Sequence, residues 1–383
     1  MTRRAFIFVG LTAVIIAVLV GCGRDTSQPP QSLKIAPEIV LGASFPLTGD
    51  NASYGTDARE GIELALDGIN GAGGINGRKI RIIYEDDVVD PKRGVSNMEK
   101  LASVDKVPVV LGSAGSGVSL AMAPVANRTK TVLISPISSA AAVTDAGPYV
   151  FRTCPSDAAQ AEIVAKWMQE KGHKKVGVLY VNNAWGVGLL NAFKKAFAAV
   201  GGTVVAEEGA EETITDYRAH LTKLKAANCD ALYMPTYSKQ GGRILNQAKD
   251  LGVSVPIFGG DTWGAQELFD AAGAAADGAF FVVPEKFEGT EYKEFAKKYQ
   301  SKYGKRPDFN ASSSYDCMHV VAVALKKVLD SGQPITGETV KAALEGSTFN
   351  GATGATKFDA NGDVVGKVFG RRVIRGGKAT PEA

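Results

Sequence analysis

Residues 107–144, VPVVLGSAGSGVSLAMAPVANRTKTVLISPISSAAAVT, run through one design twice. Each half is a short apolar run, residues 107–111 and then 131–134, that ends in small hydroxyl residues and opens into an alanine-rich, helix-prone segment. Apolar runs of this length between Gly, Ser and Pro read as buried parallel strands, and the segments behind them as crossover helices. Two strand-to-helix loops, residues 112–117 and 135–140, are therefore expected side by side at the carboxyl edge of one sheet. Open α/β sheets bind ligands at that edge, where helix N-termini present free N–H groups and the positive end of the dipole. The loops offer Ser113, Ser116, Ser138 and Ser139 with glycine backbone, and no Lys, Arg, His or Cys. That suits holding an anion such as a carboxylate and is poor equipment for breaking a bond. Gly and Ser also fill tight βα turns for steric reasons alone, so one loop decides nothing. Two adjacent ones favour a site.

Working outward, strands are expected at residues 39–45 and 79–85. A helix over 54–70 sets Ile62, Leu66 and Ile69 on one face and ends at Gly71-Ala72-Gly73-Gly74. Another spans 91–104, behind Asp90 and with Pro91 in its first turn. The pattern pauses at 151–157 and restarts, with helices at 158–171, 185–200, 217–227 and 241–251 and strands at 175–181, 203–206, 231–235, 255–259 and 278–283. Amphipathic helices at 292–303 and 315–329 follow, then a terminal β-hairpin over 354–375 turning at Asn361-Gly362. Strands alternating with helices at this spacing make an α/β protein with a right-handed, doubly wound parallel sheet. Roughly 345 residues exceed what one core usually supports, so two such units are expected.

At the N-terminus Arg3 and Arg4 precede an apolar run, residues 5–20, too short for an ordinary membrane span. It stops at Leu19-Val20-Gly21-Cys22, which resembles the lipobox of bacterial lipoproteins, whose cysteine is diacylated and becomes the first mature residue. Residues 1–22 are thus expected to be a signal peptide. Residues 2–7, TRRAFI, also resemble a twin-arginine signal, although the greasy run fits the general secretory route better. Residues 23–38 are polar, carry Pro29, Pro30 and Pro37, and read as a flexible tether.

Without Arg3 and Arg4 the 43 basic residues become 41 against 40 acidic, a mature charge of about +1. That argues against a nucleic-acid footprint. Beyond Cys22 stand Cys154, Cys229 and Cys317, an odd set at no metal or redox spacing, read as small core residues. Asp86 and Asp87 read as solvated loop carboxylates rather than metal ligands. No G-x-S-x-G elbow, Walker A loop or H-E-x-x-H occurs, so an enzyme is not expected, nor a cofactor or metal.

The lipobox, GASFPLTGDNASYG at 42–55, GINGAGGINGRKI at 68–80, VLGSAGSG at 110–117, ISPISSAAAVT at 134–144, FRTCPSD at 151–157 and FGGDTW at 258–263 occur in this order over nearly the whole mature chain. The set resembles the branched-chain amino acid (leucine/isoleucine/valine) binding proteins of ABC importers. The resemblance implies the type I periplasmic binding protein fold, two Rossmann-like lobes joined by a three-strand hinge. Lobe 1 would take residues 39–156 and 285–353, and lobe 2 residues 157–284 and 354–383.

Carried over by position, the resemblance makes Ser116 the carboxylate-binding serine at a helix N-terminus, with Ser138 and Ser139 in the companion loop. Ser139 stands where a threonine is usual. Ile137 would offer its carbonyl to the ligand ammonium, and Asp261 would pair with that ammonium, one methylene shorter than the glutamate of some relatives. Tyr54, Trp185 and Tyr237 match aromatic positions lining the cleft, a tyrosine being more familiar where Trp185 stands. The resemblance further implies an exported, lipid-anchored monomer that hands a small amino acid to an ABC permease. Relatives on this scaffold take amides, urea, aromatic carboxylates or 4-aminobutyrate, and a sensing module of a regulator is a further alternative. The chemistry agrees: a zwitterion needs an anion cradle and a cation partner several ångströms apart, and neither lobe alone has both.

Overall fold

The computed structural model describes residues 38–285 and 289–382. The expected signal peptide 1–22, its Cys22, and all of the tether except Glu38 lie outside them.

The chain first alternates through β1 (Ile39–Phe45), α1 (Ala52–Gly71), β2 (Ile80–Asp86), α2 (Pro91–Glu99), β3 (Val109–Gly112), α3 (Ser116–Thr129), β4 (Val132–Ser135) and β5 (Val150–Arg152). These five strands form one parallel sheet in the order β2-β1-β3-β4-β5. A second run follows: α4 (Asp157–Glu170), β6 (Lys175–Val181), α5 (Ala184–Ala199), β7 (Thr203–Ala210), α6 (Arg218–Ala226), β8 (Ala231–Met234), α7 (Ser238–Asp250), β9 (Ile257–Gly259), α8 (Gln266–Ala272) and β10 (Phe280–Pro284). The chain then supplies α9 (Thr290–Tyr303), α10 (Phe309–Asp330) and α11 (Gly337–Glu345), the hairpin β11 (Thr348–Gly351) with β12 (Gly354–Lys357), and finally β13 (Phe369–Arg375) and β14 (Lys378–Pro381). The second sheet runs β14-β13-β10-β9-β8-β6-β7, parallel except where β13 pairs antiparallel with both β10 and β14.

The period of two in the strands sorts the cores. Leu41, Ala43 and Phe45 of β1, with Val109, Leu111, Val132 and Ile134, face a layer holding α1, α10 and α11. Val110 and Leu133 face Met98, Val118 and Met122 of α2 and α3 on the other side. In the second sheet Leu179, Leu232 and Met234 pack with Leu221, Ile244 and Leu268 of α6, α7 and α8. Helix α10 therefore returns to the first sheet, where Met318, Val321 and Leu325 are wholly buried, each contributing about 1.5–3 kcal/mol. The result is two Rossmann-like lobes.

Three passages join them: after β5, after β10, and between Phe358 and β13. Phe358 still packs edge-on against Phe151 of the first sheet, at 5.3 Å between centroids. The limit read at 353/354 falls in the turn of the β11–β12 hairpin. Where the passages meet, Lys367 is buried and donates to the Thr153 carbonyl (2.8 Å) and the Thr353 hydroxyl (2.7 Å). Asp316 of α10 accepts from the N–H groups of Ala352 (2.8 Å) and Thr353 (2.7 Å) and from the Thr353 hydroxyl.

Several local expectations are corrected. No α-helix follows β4: residues 141–145 make only a 3₁₀ turn, and the short strand β5 succeeds it. Helix α10 starts at Phe309, not 315, because Asp308 caps it by accepting from the Ala311 N–H at 2.8 Å. The low-propensity Ser312, Ser313 and Ser314 are buried there, and Ser313 donates to the Pro136 carbonyl at 2.9 Å. The terminal hairpin turns at Gly376-Gly377, both at positive φ as the favoured two-residue turn requires, rather than at Asn361-Gly362. Asp359 curls the earlier segment by accepting from Asn361 and Asp363, and the Gly362 carbonyl accepts from the Arg152 N–H. The three cysteines among the described residues are free, with Cys154 and Cys317 buried and Cys229 half-buried.

Candidate functional site

The β3–α3 and β4 loops lie side by side, locked by their own hydroxyls. Gly112 has φ +131, and a side chain on it would run into the Ser44 carbonyl, so only glycine fits. The Ser113 carbonyl accepts from Ser135 (2.6 Å) and from Ser138 (2.8 Å), whose hydroxyl also meets that of Ser119 at 2.8 Å. Ser138 is thus wholly buried beneath the site rather than in its wall, contrary to its expected place among the ligand contacts. Ser113 is likewise withdrawn, donating to Asp87 Oδ2 at 2.8 Å.

Asp87, expected in solvent, is wholly buried under these loops, and it also accepts from the Ser44 hydroxyl (3.0 Å) and the Val89 N–H (3.0 Å). Burial pushes its carboxyl up, against those hydrogen bonds. It holds a costly turn, since Val88 and Val89 both sit at positive φ and Val89 reaches the cavity wall.

Between the lobes lies a cavity of about 300 Å³, at the small end for ligand pockets, which span roughly 300–1,000 Å³. Tyr54, Ser116, Ile137, Ser139, Trp185, Tyr237 and Asp261 all line it. Ser116 is the first residue of α3, whose leading N–H groups no helix carbonyl can reach. Its Oγ accepts from the Ala140 N–H at 3.2 Å. The Ser139 carbonyl is fixed by Arg152 Nη1 (3.0 Å) and the Asp157 N–H (2.8 Å). Arg152, wholly buried, also grips Asp363 at 2.6 Å from the third passage.

Across the cavity, Asp261 follows β9 through Gly259-Gly260. Its N–H donates to Gln160 Oε1 (2.8 Å), and its Oδ1 accepts from the Thr262 N–H (3.0 Å). The residue thus caps its turn. Burial pushes this carboxyl up to about 6, and no cation forms an ion pair with it among the described residues.

The aromatic wall is equally ordered. Trp185 and Tyr237 stack at 5.2 Å and 10°, and Tyr54 leans on Tyr237 at 5.9 Å. Asn183 caps α5 through the Gly186 N–H (2.9 Å) and donates to the Tyr237 hydroxyl (2.9 Å). Burial raises both tyrosines, which stay neutral. The sequence reading missed Val89, Cys154, Pro155 and Phe309 in the lining. The Asp308 cap signal could have placed Phe309 at a helix start; nothing local marked Val89.

The cavity thus brings hydroxyls and a helix N-terminus from one sheet against a carboxylate from the other, walled by aromatic rings. Such an arrangement binds and orients a small charged molecule. A family model described as periplasmic binding protein matches residues 38–378, and the chain belongs to that family. The family is one of exported solute-binding proteins, not of enzymes. The chain is 31% identical to Leu/Ile/Val-binding protein homolog 1 of Brucella suis over 329 residues, 85% of this chain and 87% of that one. Its fold matches the branched-chain amino acid transporter substrate-binding protein LivJ of Streptococcus pneumoniae, solved with isoleucine, at 31% identity and TM-score 0.81, covering 89% and 97% of the two chains. It also matches an ABC transporter solute-binding protein of Rhodopseudomonas palustris solved with 3,4-dihydroxybenzoic acid, at 28% identity and TM-score 0.79, covering 88% and 93%.

Proposed function

We propose that the protein captures a branched-chain amino acid, leucine, isoleucine or valine, between its lobes and delivers it to an ABC permease. The α-carboxylate would meet Ser116, Ser139 and the N-terminus of α3, and the ammonium would meet Asp261 and the Ile137 carbonyl. The side chain would lie against Tyr54, Trp185 and Tyr237.

The observation that carries this reading is Asp261, a half-buried carboxyl on the cavity wall opposite the anion cradle, with no ion-pair partner among the described residues. A zwitterion answers both ends. Charge-assisted hydrogen bonds are worth roughly 1.5–3 kcal/mol each, so a ligand touching both lobes has the differential affinity that favours closure. The closed surface is then what a permease reads.

An aromatic carboxylate is the second reading, favoured by the stacked Trp185–Tyr237 wall and by the dihydroxybenzoate-bound neighbour. It brings Asp261 at most neutral hydroxyl donors and no cation, which argues against it. Calorimetric titration with leucine, isoleucine and valine beside 3,4-dihydroxybenzoate separates the two.

The lobe limits proposed are residues 39–156 with 285–358, and 157–284 with 369–383, linked by 359–368. Processing after residue 21 and diacylation of Cys22 would anchor a monomer to the membrane through the tether. Mass spectrometry of protein extracted from membranes tests this, and a Cys22→Ala variant should be released.

A further inference from the structure

Tyr237 is held at two points, and both lines of hydrogen bonds end on Glu212. At the hydroxyl, Asn183 Nδ2 donates to Tyr237 Oη at 2.9 Å, and the same nitrogen donates to Glu212 Oε1 at 2.5 Å. At the backbone, the Tyr237 N–H donates to Gln240 Oε1 at 3.3 Å, and Gln240 Nε2 donates to the Glu212 carbonyl at 3.0 Å. Neither amide is free to flip. Asn183 Oδ1 accepts the Gly186 N–H at 2.9 Å, which leaves its nitrogen to meet the two oxygens, and the Gln240 amide has a donor on one side and an acceptor on the other. The bonds therefore close a ring from Glu212 through Asn183, Tyr237 and Gln240 back to Glu212.

Glu212 lies in the loop between β7 and α6, is half-buried, and does not line the cavity. That loop is itself tied to α7, where Gln247 Oε1 accepts the Tyr217 N–H at 2.6 Å and Gln247 Nε2 donates to the Thr215 carbonyl at 2.8 Å. Trp185 leans on the ring twice, because it stacks on Tyr237 and because Asn183 caps the helix it stands on. We propose that Glu212 is a positioning residue for the aromatic wall: it holds the Asn183 amide in the orientation that fixes Tyr237, and with it the Trp185 ring, and so sets the affinity for the ligand side chain.

Every member of the ring, and Trp185, belongs to the run of chain that builds the second sheet and its helices. The ring thus needs nothing from the first lobe, and the wall is ordered before a ligand arrives. A wall set in advance spares binding the cost of ordering its side chains. Without the Glu212 acceptor, one Asn183 Nδ2 proton loses its oxygen, and the amide can turn away from Tyr237 to find another. The effect on affinity rests on the amino acid reading given above; the ordering of the wall does not.

Two substitutions of similar length separate the acceptor from the bulk of the side chain. Glu212→Met removes the acceptor, whereas Glu212→Gln keeps an oxygen for Asn183. The first readout is near-ultraviolet circular dichroism of the empty full chain, taken as the difference on adding Trp185→Phe to each background, which isolates the stacked pair. That difference should survive Glu212→Gln and be lost in Glu212→Met. The second is calorimetric titration of isoleucine, whose affinity should fall at least about five-fold in Glu212→Met and stay within about two-fold of wild type in Glu212→Gln. A Glu212→Met protein that keeps either the signal or the affinity, or a Glu212→Gln protein that loses as much, would overturn the proposal. If Glu212→Met does not fold, Glu212→Ala takes its place in both readouts. Wild type that binds none of leucine, isoleucine or valine removes the amino acid reading and the claim on affinity, while the difference spectrum still decides whether Glu212 holds the wall.

Discussion

The hydroxyl of Tyr54 lies 3.0 Å from that of Ser238, joining α1 of the first lobe to α7 of the second directly across the cleft. Ser238 spends its own proton on the Thr262 carbonyl at 2.7 Å, so Tyr54 is the donor. This latch exists only when the lobes are together. A neutral hydrogen bond is worth about 1 kcal/mol net, so Tyr54→Phe should weaken ligand affinity about five-fold, through faster dissociation. The melting midpoint of the empty protein should not move. Stopped-flow fluorescence of Trp185 and a thermal melt check both.

Closure also brings α3 against α5. A methyl group on Gly117 would stand 3.3 Å from the Ala184 Cβ, so any longer side chain must push the helices apart. Gly117→Leu should therefore lower affinity at least ten-fold by opposing the closed form, leaving folding intact. Small-angle scattering with and without ligand should find the variant open in both cases.

Acidity should move stability and binding in opposite directions. The Asp261 carboxyl, at 3.8 when unfolded and pushed up to about 6 by burial, holds its proton more tightly in the fold. Its contribution to the empty protein is fully present below about pH 4 and is lost as pH rises through 6. Ammonium binding needs the ionised form, so affinity should fall as pH drops below 6. Against Asp261→Asn, wild type should have the lower melting midpoint at pH 8 and a shrinking deficit by pH 5. Thermal melts and titrations across that range test the sign.

The hinge core should resist truncation. Lys367 is pushed down to about 8 by burial and stays tied to Thr153 and Thr353 beside Asp316. Lys367→Met leaves the Asp316 carboxylate buried without its cation, a change that costs about 3 kcal/mol or more. Urea unfolding should report that loss without a change in slope.

Much of this was legible in the chain because strands buried on both faces are written as continuous apolar runs. Residues 175–181 were read to the residue, and the two loops at 112–117 and 135–140 lie together as their repeated design implied. Short strands such as β5 escaped because three residues carry no period. Asp87 was misjudged because nothing in Glu85-Asp86-Asp87 tells that Ser44 and Ser113 converge on it from distant strands. Ser138 looked like Ser116 and Ser139, and only packing distinguishes a hydroxyl that locks a loop from one that faces a cavity.

The central claim is that a zwitterion is held at one end by each lobe, and calorimetric titration of isoleucine into wild type and Asp261→Ala tests it most directly. The account predicts binding in the micromolar range or tighter for wild type, and a loss of at least about ten-fold in the variant, as removal of a charge-assisted contact implies. Undiminished isoleucine binding by Asp261→Ala would contradict it.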